Sequence, residues 1–136
     1  MEKTNTNRRA RATETHVAIS MEKRRVAAKM ERVVARSLRS VPTTNNAPFD
    51  ILVGTMVGVE VKTLVDQKNS KITMHPESLR RKLKSARALK LKRVYTVVID
   101  ARGKVPTVYY RKGLGSFRLG SLLKVEGFKS LSQVVR

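Results

Sequence analysis

The alternation of hydrophobic and polar positions is sharpest between residues 49 and 63, where two β-branched, aliphatic runs flank a Gly-bounded turn. This pattern predicts a β-hairpin with its turn near Thr55. Antiparallel pairing about that turn brings Asp50 opposite Glu60 to Lys62, so acidic side chains from both strands meet at the open end of the hairpin. Because side chains alternate along a strand, Glu60 and Lys62 are predicted on one face. The opposite face is predicted to carry Val59, Val61 and Leu64.

A helical period replaces the alternation from about Ser20 to Ser40. Its apolar positions recur at steps of three and four residues and form one stripe, made of Ala27, Met30, Val34, Leu38 and Val41. Glu31 falls within this stripe, so we expect its carboxylate to turn toward the body of the protein. Arginines occupy most of the other sides of the helix.

The segments after the hairpin predict a third strand, a second helix and a buried strand. Lys71–Met74 is strand-like, and a helix is predicted to begin at Pro76. The apolar stripe of that helix consists of Leu79, Leu83, Ala86 and Leu89. Lys82 lies close to this stripe. Val94–Asp100 is apolar enough for the centre of a sheet.

This order of elements predicts an α/β fold. A helix between two strands of one sheet implies a crossover connection, so we expect a mixed central sheet flanked by helices, with an αβββαβ core. A C-terminal β-hairpin is predicted between Thr107–Arg111 and Phe117–Leu119, followed by a short helix. Residues 1–14 lack an apolar period and predict a disordered basic tail, which leaves residues 15–136 as a single domain.

The charge of the chain indicates a polyanionic partner. Lys and Arg number 30 against 10 Asp and Glu, which gives a formal net charge of +20 and favours nucleic acid. No apolar run approaches the ~18 residues of a membrane-spanning helix, and the start lacks a signal-peptide pattern, so a cytoplasmic protein without a membrane partner is expected. Several basic residues have few acids beside them and are expected to bind phosphates: Lys71, Arg80, Arg81, Lys84, Arg87, Arg111, Lys112 and Arg118.

The residue types available restrict any metal site to oxygen ligands. The chain has no cysteine and only two histidines, so thiolate and His-rich zinc sites are not expected. The carboxylates of Asp50 and Glu60, with the carbonyl of Val61, are hard oxygen ligands suited to Mg²⁺ or Mn²⁺. Such an ion holds substrate phosphates and activates water, and Lys62 beside it can orient or deprotonate that water.

Asp50, nine intervening residues and the triplet Glu60-Val61-Lys62 at the end of a hairpin resemble the signature of the PD-(D/E)XK, or restriction-endonuclease-like, nuclease superfamily. The resemblance covers roughly residues 20–100 and extends to the order of the elements. It implies a metal-dependent endonuclease that hydrolyses phosphodiester bonds, with DNA favoured over RNA. The layout is similar to that of small archaeal Holliday-junction resolvases, in which an acid on the first helix joins the metal site. The matching residue in this chain is Glu31.

Two other functional classes remain open. A chain this basic can bind nucleic acid without cutting it, as a non-catalytic or virion-associated protein. The segment from Glu60 to Arg118 also resembles nuclease-like domains of phage head-morphogenesis proteins. Some nucleases of that broad kind cut RNA without a metal. In that class, acid and base chemistry would depend on His75 and Arg118. A structure-specific nuclease makes two incisions, which is compatible with a homodimer. The expected source is a bacterium, an archaeon or a phage.

Overall fold

The computed structural model describes residues 21–43 and 47–136, and the predicted tail over residues 1–14 lies outside that part of the chain. Within it, the first helix, α1, occupies residues 21–37. The elements that follow are β1 (Ile51–Val53), β2 (Val57–Leu64), β3 (Lys71–Ile72), α2 (Pro76–Ala88), β4 (Arg93–Asp100), β5 (Thr107–Lys112), β6 (Phe117–Arg118), β7 (Leu123–Val125) and α3 (Leu131–Val134). Short 3₁₀ turns at Leu119–Ser121 and Phe128–Ser130 flank β7.

Five of the strands form one mixed sheet, in the order β1-β2-β4-β5-β7. β2 and β4 run parallel over eight residue pairs, and α2 forms the crossover between them. The other neighbouring strands pair antiparallel. The predicted α/β fold with a mixed sheet flanked by helices is therefore confirmed. Among the helices of the described residues, none combines the length and apolar content that a bilayer span requires.

The pairing of β3 and β6 differs from the prediction. β6 does not form a hairpin with β5. It pairs with β3 in a separate two-stranded ribbon, and β7 takes the place beside β5. Apolar and charged residues alternate on both ribbon strands, which lets Ile72 and Phe117 pack on the sheet together with Leu64 and Val98. The third predicted strand therefore covers the sheet and does not extend it.

The two faces of the sheet have separate cores. One face packs against α1 and α3 through fully buried residues that include Val34, Val59, Val97 and Leu131. The opposite face carries Glu60 and Lys62 and buries Leu64 beneath the ribbon. The expectation that Leu64 shares a face with Val59 is wrong, because Leu64 lies two residues beyond Lys62 and alternation returns it to the face of that lysine.

Helix α2 presents a more polar face to the sheet than its leucines predict. His75 caps its first turn by accepting a hydrogen bond from the backbone N–H of Glu77, and Pro76 occupies the first helical position. Ala86 is buried, but Leu83 and Leu89 are 40% and 48% exposed. The predicted leucine stripe is thus only partly correct. Lys82 takes the inward position, one turn before Ala86.

Helix α1 packs as its period predicts up to its C-terminal end. Met30, Val34 and Leu38 are buried, whereas Val41 is 75% exposed because the helix has already ended. Arg39 takes a positive φ of 54°, and the N–H of Ser40 reaches back to the carbonyl of Ala35 at 2.8 Å. That left-handed cap turns the chain toward the hairpin.

Candidate functional site

The acidic residues meet where β1 is shorter than β2. The register pairs Ile51 with Val59, and continuing it by one residue sets Asp50 opposite Glu60, as predicted. β1 begins only at Ile51, so β2 runs on without a partner on this side. The Asp50 side chain fills that place, since its Oδ2 accepts a hydrogen bond from the backbone N–H of Val61 at 2.8 Å.

The backbone around Asp50 is held from two sides. Thr43 donates its N–H to the carbonyl of Asp50 at 2.9 Å, and its hydroxyl contacts the carbonyls of Phe49 and Asp50. The Phe49 ring lies on Gly58, where an added Cβ would stand 3.1 Å from the ring and 2.9 Å from Leu91. Only glycine leaves the ring this room, so Gly58 fixes the position of the residue that precedes Asp50.

Glu60 is a nearly buried carboxylate placed between two lysines. Its side chain is 6% exposed, and Oε2 lies 2.8 Å from Nζ of Lys82. Nζ of Lys62 lies 3.5 Å from the other oxygen, Oε1. Lys82 also donates to the carbonyl of Pro48 and lies 5.7 Å from the centre of the Phe49 ring. Both oxygens of Glu60 thus face a positive charge, which offsets the cost of burying it.

The negative charge of this site affects the pKa of two neighbouring acids, Asp50 and Glu31. Burial, followed by the charge of Glu60, raises the pKa of Asp50 above its ordinary value, although the Val61 N–H and the two lysines act in the opposite direction. Burial, then the charges of Asp50 and Glu60, likewise raises the pKa of Glu31. The predicted inward turn of Glu31 is confirmed, because the residue is half-buried. Three carboxylates therefore interact unfavourably at one end of the hairpin.

The donor set suits a hard divalent cation. Both backbone groups of a strand residue point to the same side, so the carbonyl of Val61 faces the sheet edge at which its N–H contacts Asp50. Oδ1 of Asp50 makes no hydrogen bond to any described residue, which leaves it available as a ligand. Within residues 21–43 and 47–136, however, no three acidic or histidine side chains already form a coordination group. A cation at Glu60 would compete with Lys82 for Oε2.

Lys82 is the site residue that sequence reasoning did not assign. The signal was present, since a lysine beside an apolar helical stripe is costly to bury without an anionic partner. Its partner, Glu60, precedes it by 22 residues and belongs to a strand. Only the crossover that lays α2 over the middle of β2 reveals the pair.

The predicted phosphate-binding residues are all exposed and lie on α2, on the β3–β6 ribbon and on β5. Four of them lie on α2, where Glu77 is the sole acid: Arg80, Arg81, Lys84 and Arg87. Lys71 and Arg118 lie opposite each other on the ribbon. Arg111 stacks on the Phe117 ring at 4.5 Å, and Lys112 lines a groove of about 380 Å³ beside β7.

His75 has a structural role that accounts for its position. Its Nδ1 accepts the N–H of Glu77 at 3.2 Å and so caps α2. A base proposed at this residue would have to give up that contact.

The repulsion among the acids predicts a stability change that depends on pH. Asp50→Asn is expected to raise the free energy of unfolding at pH 7 and to leave it nearly unchanged at pH 3, below the ordinary pKa of aspartate, with no metal present. The folded-state pKa of Asp50 is raised above 3.8, so ionisation costs the folded protein stability as the pH rises through that pKa. Asn keeps an oxygen for the Val61 N–H.

Urea unfolding of both proteins at the two pH values measures the difference. Asp66→Asn provides the control, because Asp66 is half-exposed and pairs with Lys23 at the surface. A loss of stability at pH 7 in Asp50→Asn would show that the ionised carboxylate is favourable and would contradict the interpretation.

The chain matches no protein-family model and no curated protein.

Proposed function

We propose that the protein is a metal-dependent endonuclease that hydrolyses phosphodiester bonds in DNA. The observation that supports this most directly is the juxtaposition of Glu31, Asp50 and Glu60. Burial, and after it the negative charge of the neighbouring acids, raises the pKa of both Glu31 and Asp50. Repulsion between partly buried carboxylates, which the lysines offset only in part at Asp50, is the condition that a bound Mg²⁺ or Mn²⁺ relieves. Lysines beside the acids add the cationic groups that phosphoryl chemistry requires.

The proposed roles follow from these positions. Asp50 and Glu60 would hold the ion, with the Val61 carbonyl and Glu31 in support. Bound there, Mg²⁺ supplies an activated water and positive charge for the phosphate. Lys62, which is 37% exposed, can reach solvent and orient the attacking water. Lys82 is more enclosed and can hold Glu60 in place or donate to a phosphate oxygen.

The basic surface is proposed to bind the DNA backbone. The exposed face of α2 carries arginines and Lys84, and its inner face carries Lys82. The cationic surface therefore adjoins the acidic site. When lysines and arginines bind the phosphates, the DNA releases its condensed counterions. The affinity for DNA is therefore expected to fall steeply as the salt concentration rises. A structure-specific substrate, a homodimer and a cytoplasmic setting in a bacterium, an archaeon or a phage-infected cell are part of the same proposal.

Divalent cations are expected to switch cleavage on. Purified protein is incubated with supercoiled plasmid, linear duplex, single-stranded DNA and a four-way junction, in EDTA or in millimolar Mg²⁺ or Mn²⁺. Strand scission in the metal-containing reactions only is the expected result. Gels read out nicks and double-strand breaks separately. Scission at an equal rate in EDTA would contradict the metal-dependent mechanism.

One observation favours a second function, which is nucleic-acid binding without catalysis. Both oxygens of Glu60 are already engaged by lysines, as in a site whose acid serves only to neutralise cations. Tight binding to every DNA substrate without scission in either metal would favour this second function over the first.

A further inference from the structure

The β3–β6 ribbon places two positive charges directly against each other. Lys71 and Arg118 are register partners, both are exposed, and neither forms an ion pair with any described residue. Their Cβ atoms are expected about 5 Å apart, and like charges in this arrangement destabilise a pair of strands. The ribbon has only two residue pairs, so the packing of Ile72 and Phe117 on the sheet has to offset that cost. An anion between the two side chains would turn the repulsion into attraction.

The groove beside this pair has the form of an anion site. Lys71 and Arg118 line it together with Ser70, and its volume is about 250 Å³. Oγ of Ser70 accepts a hydrogen bond from Arg102 at 3.0 Å and donates to no described residue, so its proton is free to point into the groove.

The wall of the groove is fixed in place. Arg102 is neutralised by Asp100, with Nε 2.8 Å from Oδ1, and therefore holds the loop without adding net charge. It donates to the carbonyls of Gln67 and Asn69, and Ser70 accepts the N–H of Leu119 through its own carbonyl. A rigid wall lowers the entropy cost of binding an anion.

We propose that Lys71, Arg118 and Ser70 form a binding site for one phosphate group of the nucleic-acid backbone, separate from the candidate metal centre. The inference rests on the nucleic-acid partner proposed above. The ribbon packs over Leu64, four residues beyond Glu60, which corresponds to about 13 Å along the strand. The site is therefore set apart from the acids along the sheet and would bind a phosphate other than the scissile one.

Salt-dependent binding tests the proposal in EDTA, where no cleavage is expected. Binding of a labelled 30-bp duplex is measured from 50 to 300 mM salt for the wild type and for a Lys71→Gln/Arg118→Gln double variant. One shared phosphate predicts that the slope of log K against log salt becomes shallower by about 0.9 in the double variant. A Lys104→Gln/Lys129→Gln variant removes two exposed lysines outside the groove and is expected to change the slope less.

Several outcomes would overturn the shared site. A change no larger than that of the control variant would reduce the pair to part of a diffuse positive surface, and a change near 1.8 would mean two separate phosphates. The Lys71→Gln/Arg118→Gln variant removes the repulsion and should not have a lower thermal midpoint than the wild type. A lower midpoint would therefore identify a folding defect and separate it from a loss of phosphate binding. If inorganic phosphate raises the midpoint of the wild type but the duplex slope is unaffected, the ligand is a free phosphate and not DNA. Cleavage does not enter these readouts, so they stand apart from the test of the nuclease.

Discussion

Asp50→Asn is expected to reduce Mg²⁺-dependent cleavage by at least about 1,000-fold, which corresponds to about 4 kcal/mol of transition-state stabilisation. Asn removes the negative charge that a divalent ion requires while keeping an oxygen for the Val61 N–H. The change should therefore abolish activity and preserve the fold. Glu60→Gln is expected to have an effect of similar size, because it removes the second anionic ligand.

Single-turnover rates on the best DNA substrate, at saturating Mg²⁺, measure the effect. Asp66→Asn is the matched control, since it removes an acid of the same type whose surface ion pair with Lys23 is half-exposed. Its rate should stay within about twofold of the wild type. Retained cleavage in Asp50→Asn and Glu60→Gln would remove these residues from catalysis. Loss of cleavage together with a lower thermal midpoint at pH 7 would indicate misfolding.

Local chemistry made the hairpin and its open end predictable. Two β-branched runs with Gly54 at a positive φ between them determine the register, and the register alone sets Asp50 opposite Glu60. Alternation likewise placed Glu60 and Lys62 on one face. The half-buried position of Glu31 followed from helical periodicity in the same way. Each of these inferences needs only short-range geometry.

The features that depend on long-range packing could not be predicted in this way. The sequence of β6 is as compatible with β5 as with β3, and the choice is made by β7, whose Val125 pairs with Val108. The orientation of α2 depends on how the crossover lays it on the sheet, and this orientation moved Leu83 outward and Lys82 inward. Neighbours in space that are far apart in sequence decide both outcomes.

The ion pair of Lys82 with Glu60 is expected to stabilise the metal-free protein. Lys82→Met should lower the free energy of unfolding by about 2–3 kcal/mol in EDTA, below the usual cost of breaking a buried pair because Lys82 is 17% exposed and Lys62 stays near Glu60. The thermal midpoint should fall by about 10 °C. Met matches Lys in helix propensity, so the loss reports on charge.

Two comparisons assign this loss to its cause. Lys84→Met changes an exposed lysine on the same helix and should shift the free energy of unfolding by less than about 0.5 kcal/mol. In a Glu60→Gln background, Lys82→Met should cost far less, since no buried anion is left without a partner. Saturating Mg²⁺ should restore part of the stability of Lys82→Met, because the proposed ion supplies positive charge to Glu60. If Lys82→Met and Lys84→Met unfold at the same free energy, Glu60 does not depend on Lys82. If Lys82→Met loses stability but saturating Mg²⁺ restores none of it, the result would count against the metal site.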